Sequence, residues 1–146
     1  MTVAALILAR KRPGFDMDWG AEIADRARRL LNDAPFEVVW PDVNIVDDAT
    51  LRLGIEQVRA AGAELPVVLQ PTMSSGDLCA TLASVWPAPV VLWATGEKPT
   101  GEMISACTLV GTHLFGSLLR HRGHPFELVN GVPGEGDTAE RLARAV

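Results

Sequence analysis

The chain has 146 residues, of which 48% are hydrophobic and 21% charged, with a formal net charge of -5 and a pI near 5.1. Length and composition describe one folded domain over residues 1–146, and the acidic balance excludes a nucleic-acid binder, which carries a basic face. No apolar run approaches the ~18 residues of a membrane span, and an apolar strand followed by basic residues is the reverse of a secretory leader, which reads as a cytoplasmic chain.

Residues 2–9 are apolar and read as a first strand, central in its sheet. The loop after it opens with Arg10-Lys11-Arg12, a solvated basic loop or an anion or polyol site. The spacing predicts a helix over 18–32 with Asp18 as N-cap and Trp19, Ile23, Ala27, Leu30 and Leu31 on one apolar face. Residues 36–40 form a second strand, stopped by Pro41-Asp42. Asp47 or Asp48 caps the next helix, whose buried stripe is Leu51, Ile55 and Val58 and whose stop signal is Gly62.

Residues 66–70 read as a third strand running into the polar loop 71–77. A helix follows to about Trp86, with Leu78, Leu82, Val85 and Trp86 on one face. Residues 89–93 are a fourth strand, ending in the polar loop 94–101. A long helix then leads to Arg122-Gly123. Its stripe of Leu109, Val110, Leu114, Phe115, Leu118 and Leu119 is wide enough to meet something beyond its own sheet. Gly111 and Gly116 each cost this helix roughly 1 kcal/mol relative to Ala, which close helix–sheet packing explains. Residues 125–129 are a fifth strand, and Asp137-Thr138-Ala139-Glu140 opens the last helix in the manner of a capping box.

Strands alternating with helices imply right-handed βαβ crossovers and a parallel sheet. The expected fold is α/β: a three-layer α/β/α sandwich with a five-stranded parallel sheet in the flavodoxin-like order 2-1-3-4-5. Helices 1 and 5 cover one face and helices 2, 3 and 4 the other. Ligands of such sheets bind outside the carboxyl ends of the strands, where the two polar loops lie.

The chemistry-bearing residues form no complete catalytic set. There is no G-x-G-x-x-G and no Walker A, and Gln70 stands where a phosphoacceptor receiver domain needs an aspartate. Ser74-Ser75-Gly76 is either a small N–H nest or an ordinary helix cap. Cys79 and Cys107 lie outside any CxxC pair and read as buried free thiols within helices. His113, His121 and His124 lack carboxylate partners at helical spacing, so no metal site is expected. Glu97 and Glu102 are lone acids near the second loop, and such acids are usually solvated.

Three stretches, in order and spacing, carry a resemblance: Gln70-Pro71-Thr72-Met73, then Leu92-Trp93-Ala94-Thr95-Gly96-Glu97-Lys98-Pro99-Thr100-Gly101, then Arg122-Gly123-His124-Pro125-Phe126-Glu127-Leu128-Val129-Asn130-Gly131. With the opening strand, Ala9-Arg10 and Phe15-Asp16, the chain resembles the N-terminal domain of the L-fucose isomerase and L-arabinose isomerase superfamily. The resemblance implies a Mn²⁺-dependent aldose–ketose isomerase working through an ene-diol. The two metal-binding carboxylates and the histidine of that chemistry belong to later domains, and nothing in this chain matches them. The chain is therefore expected to bind no cofactor, to be inactive alone, and to be a fragment lacking C-terminal domains. The resemblance further implies sugar contact, typically into a neighbouring subunit's active site within a homo-oligomer. By position Arg10 reaches a sugar hydroxyl, Met73 replaces the family's aromatic ring, and Trp93 and Glu97 match the second loop. Two other readings stand beside it: a stand-alone sugar-binding module, and a structural oligomerisation domain.

Overall fold

The computed structural model describes residues 1–9, 13–87, 89–101 and 105–146. Strands and helices alternate as β1 (Thr2–Ile7), α1 (Met17–Asn32), β2 (Glu37–Val39), α2 (Asp48–Ala60), β3 (Leu65–Leu69), α3 (Gly76–Val85), β4 (Val90–Ala94), α4 (Thr108–His121), β5 (Phe126–Asn130) and α5 (Thr138–Ala145). The strands form one sheet in the order β2-β1-β3-β4-β5. Every neighbouring pair is parallel. This is the flavodoxin-like α/β/α arrangement.

The two-residue period of the strands divides the core. Leu6, Val68 and Leu92 face one side, where they meet Leu51 and Ile55 of α2, Leu82 of α3, and Phe115 and Leu119 of α4. Ala5, Val67, Val91 and Trp93 face the other, against Ile23 and Ala27 of α1 and Leu142 of α5. The inner strands are buried on both faces, which is why they read as unbroken apolar runs rather than as alternation. Helices α1 and α5 thus share one face, and α2, α3 and α4 the other.

Three local details differ from the expectations, and one settles a choice between two caps. Asp16, not Asp18, caps α1, accepting the N–H of Trp19 at 2.9 Å. The cap of α2 is Asp47, in a reciprocal box with Thr50. Asp137 makes no side-chain cap bond to α5; its carboxylate takes Arg141 instead. The fourth helix begins only at Thr108, so Cys107 precedes it in a left-handed conformation (φ 52°) and is partly exposed, unlike the buried Cys79. In α4 only Phe115 and Leu119 of the apolar stripe are buried, while Leu109, Val110 and Leu114 face outward. Among the described residues no helix is long and apolar enough to cross a membrane.

Candidate functional site

The chain leaves β1 toward one sheet edge and β3 toward the other, so their loops diverge and open a crevice at the carboxyl edge. Ala9 and α1 residues Met17, Gly20, Ala21 and Ala24 line it opposite Pro71 and Thr72, enclosing about 220 Å³. Small side chains make this approach feasible. A Cβ on Gly20 would stand 2.8 Å from the Thr72 methyl and 3.5 Å from the Pro71 carbonyl oxygen. Ala9, Ala21 and Ala24 also line a second, more polar cavity of about 450 Å³ on the β2 side, walled by Asp25, Arg28, Trp40, Asp42 and Asn44. Arg28 holds that wall together, bonding Asp25 at 3.4 Å and lying over the Trp40 ring. Arg10, expected at the sugar, lies outside the described residues, as do Lys11, Arg12 and Glu102.

The loop after β3 is closed by its own first residue. Gln70 is buried, and its Oε1 accepts both the N–H of Ser74 at 3.0 Å and the Ser74 hydroxyl at 2.7 Å. The Ser74 N–H is thereby spent within the loop, and Ser75 caps α3 without a side-chain hydrogen bond. The Ser74-Ser75-Gly76 turn is thus the helix cap considered for it, with Ser75 at the N-cap position but without a side-chain bond, and its Ser74 N–H is not free for an anion.

The loop after β4 is organised by Glu97. Its Oε2 accepts the Ser105 hydroxyl at 2.9 Å and the Ala106 N–H at 2.7 Å, and its Oε1 accepts the Thr108 N–H at 2.8 Å. Burial raises the carboxyl pKa, but the N–H groups of Ala106, Thr108 and Cys107 and the Ser105 hydroxyl together hold it below its ordinary value. A carboxylate at the first turn also complements the dipole of α4. The Thr108 hydroxyl adds a bond to the Thr95 carbonyl at 2.7 Å.

Residues 105 and 106 then tie three loops together. The Asp16 N–H donates to the Ser105 carbonyl at 2.8 Å, and the Met73 N–H donates to the Ala106 carbonyl at 2.9 Å. Lys98 reaches the Asp16 carboxylate at 3.2 Å. Trp19 N–H and the Lys98 ammonium hold the Asp16 pKa below its ordinary value. The carboxyl edge is therefore a preorganised rim in which the loops after β1, β3 and β4 share hydrogen bonds.

Of the four residues expected at the sugar, Met73 and Glu97 are brought together, on opposite sides of Ala106. Met73 is partly exposed. Trp93 is 0% exposed, packed among the α1 and α5 side chains, and its indole N–H donates to the Gly131 carbonyl at 2.9 Å. It presents no surface at the rim. Ser105 and Thr108 are rim residues that no motif marks, and Gln70 and Asp16, noted in the sequence for other reasons, prove to be the anchors of their loops. Their roles depend on partners up to dozens of positions away. Among the described residues no cluster of three or more His, Cys, Asp or Glu side chains forms a metal cage. Glu97 has both oxygens engaged by backbone N–H groups and the Ser105 hydroxyl, so this carboxylate as placed does not fit a Mn²⁺ ligand.

No family model and no curated protein matches the chain.

Proposed function

We propose that the chain is the N-terminal, substrate-contacting and assembly domain of a sugar isomerase of the L-fucose/L-arabinose type. In this reading it holds sugar hydroxyls at the carboxyl edge, while metal and base come from missing C-terminal domains or a neighbouring subunit of a cytoplasmic homo-oligomer. The supporting observation is the shared rim at Ser105 and Ala106, which fixes three loops around the β1/β3 crevice. Rigid, prepaid geometry is what sugar recognition needs, because each hydroxyl bond is weak and ordering a loose loop offsets it. Ene-diol chemistry needs a metal and a base, so the chain alone should show no isomerase activity even with Mn²⁺.

Thermal shift against L-fucose and L-arabinose tests the reading. Stabilisation should grow with ligand as RT ln(1 + [L]/Kd), and Arg10→Ala should abolish it. No shift with any aldose or ketose, or isomerisation by the chain alone, counts against it. A second reading, a small-molecule binding module acting by itself, is favoured by the cavity along α1, which this chain walls without help. The intact mass of the protein in its source separates them: 15.6 kDa favours the module, and several times that mass the enzyme domain.

A further inference from the structure

We propose that the outer edge of β5 is a self-pairing surface, on which a second copy of this chain docks antiparallel across a two-fold axis at Leu128. The proposal is independent of the sugar reading and rests on the sheet itself.

Among the described residues β5 has a strand neighbour on one side only. The Gly131 N–H donates to Ala94, and the Pro125 carbonyl accepts from Val90. Odd positions therefore turn their backbone groups toward β4, and Phe126, Leu128 and Asn130 turn theirs outward. Of these outward groups, the Asn130 carbonyl takes only a long bond from Arg141, at 3.4 Å. The others have no partner among the described residues. Leu128, in the middle of the row, is 44% exposed. An unpaired edge with an apolar centre is a template for another strand.

The row is complementary to its own reverse. Antiparallel pairing centred on Leu128 sets Leu128 against its copy and Phe126 against Asn130 of the copy. All of these are positions with outward N–H and C=O groups, so each becomes a hydrogen-bonded pair. The two Leu128 side chains then cover each other. Charge agrees with this register. Glu127 shares a shallow groove of about 270 Å³ with Arg141 and Arg144 of α5, yet has no ion-pair partner among the described residues. A two-fold brings each Glu127 toward α5 of the other copy, where Arg141 is held by Asp137 and Arg144 has no ion-pair partner among the described residues.

Topology argues against the chain's own next strand as the occupant. Crossovers are right-handed, and on the face that holds α1 this carries β1 toward the β2 edge. Because α5 lies on that same face, a right-handed path from β5 runs back over β4 rather than outside β5. A strand connected directly through α5 is thus disfavoured at this edge, and a second copy is the occupant the proposal commits to.

Sedimentation velocity across about 1–100 µM reads the equilibrium, because self-association is concentration-dependent. The expected species has twice the 15.6 kDa chain mass. Leu128→Pro removes an outward N–H without touching the β4 ladder, and Glu127→Arg sets like charges against Arg144 of the other copy. Each variant should sediment as a monomer with unchanged far-UV circular dichroism. If Leu128→Pro misfolds, Glu127→Arg alone carries the test. A wild-type chain monomeric throughout, or dimers that survive Glu127→Arg, would overturn the proposal.

Discussion

The carboxylate of Glu97 accepts the backbone N–H of Thr108, the first residue of α4, at 2.8 Å. That bond, with those from Ser105 and Ala106, decides where the helix starts and what shape the loop before it takes. Glu97→Ala leaves several donors unpaired, and should cost about 1–3 kcal/mol in urea unfolding. The same variant should weaken any sugar-induced shift, because the rim loses its anchor. Unchanged stability would show that the loop holds without the carboxylate.

The same carboxylate sets an acid limb. Its folded pKa is depressed below the ordinary 4.5. Its contribution is therefore fully present above 4.5 and is lost as the pH falls through the lower folded value. Glu97→Gln should flatten the fall in stability over that window, while the wild type loses stability steadily. Parallel profiles for the two proteins would rule out this residue as the source.

The two glycines of α4 should behave in opposite ways. A Cβ on Gly111 would stand 2.8 Å from Gln70 Oε1 and 3.2 Å from the Met73 backbone. It would push against the loop that Gln70 closes. Gly111→Ala should destabilise by about 1–3 kcal/mol despite better helix propensity. At Gly116 the nearest atoms are those of the Phe126 ring, at an ordinary 3.4 Å. Gly116→Ala should stabilise by up to about 1 kcal/mol. Urea midpoints for the pair provide the comparison, and equal shifts would contradict the packing difference.

Burial separates the two thiols. Burial pushes the Cys79 thiol up to about 11, and its Sγ donates to the Phe115 carbonyl at 3.5 Å. Cys107 is partly exposed. A disulfide reagent at mildly alkaline pH should label Cys107 in the native protein and Cys79 only after unfolding, because the thiolate is the reactive form. Rapid labelling of both would show that the core beneath α4 opens readily.

Trp93 should prove a core residue. Trp93→Phe removes the donor to the Gly131 carbonyl and should cost about 1–3 kcal/mol without changing any affinity at the rim once stability is matched. Loss of binding with stability intact would return Trp93 to the substrate.

The alternation of strands and helices was legible in the sequence, while the strand order was an inference from crossover rules that the sheet bears out. Short apolar runs such as 66–69 and 90–93, bounded by turn residues, suit strands buried on both faces, and the handedness of the crossovers assigned each helix to a side. Those are local patterns of burial, and crossover handedness leaves few ways to connect them. Tertiary structure decided the site. Trp93 and Glu97 lie in one loop-ending stretch, yet strand alternation sends Trp93 into the α1/α5 core, and loop closure turns both oxygens of Glu97 onto backbone N–H groups. Asp16 and Met73 meet Ser105 and Ala106 only because the loops after β1, β3 and β4 converge on one sheet edge, and no periodicity records a bond between residues so far apart. The start of α4 was misplaced for the same reason: helix propensity runs smoothly across Cys107, and the competing hydrogen bonds come from Glu97, ten residues earlier in the chain.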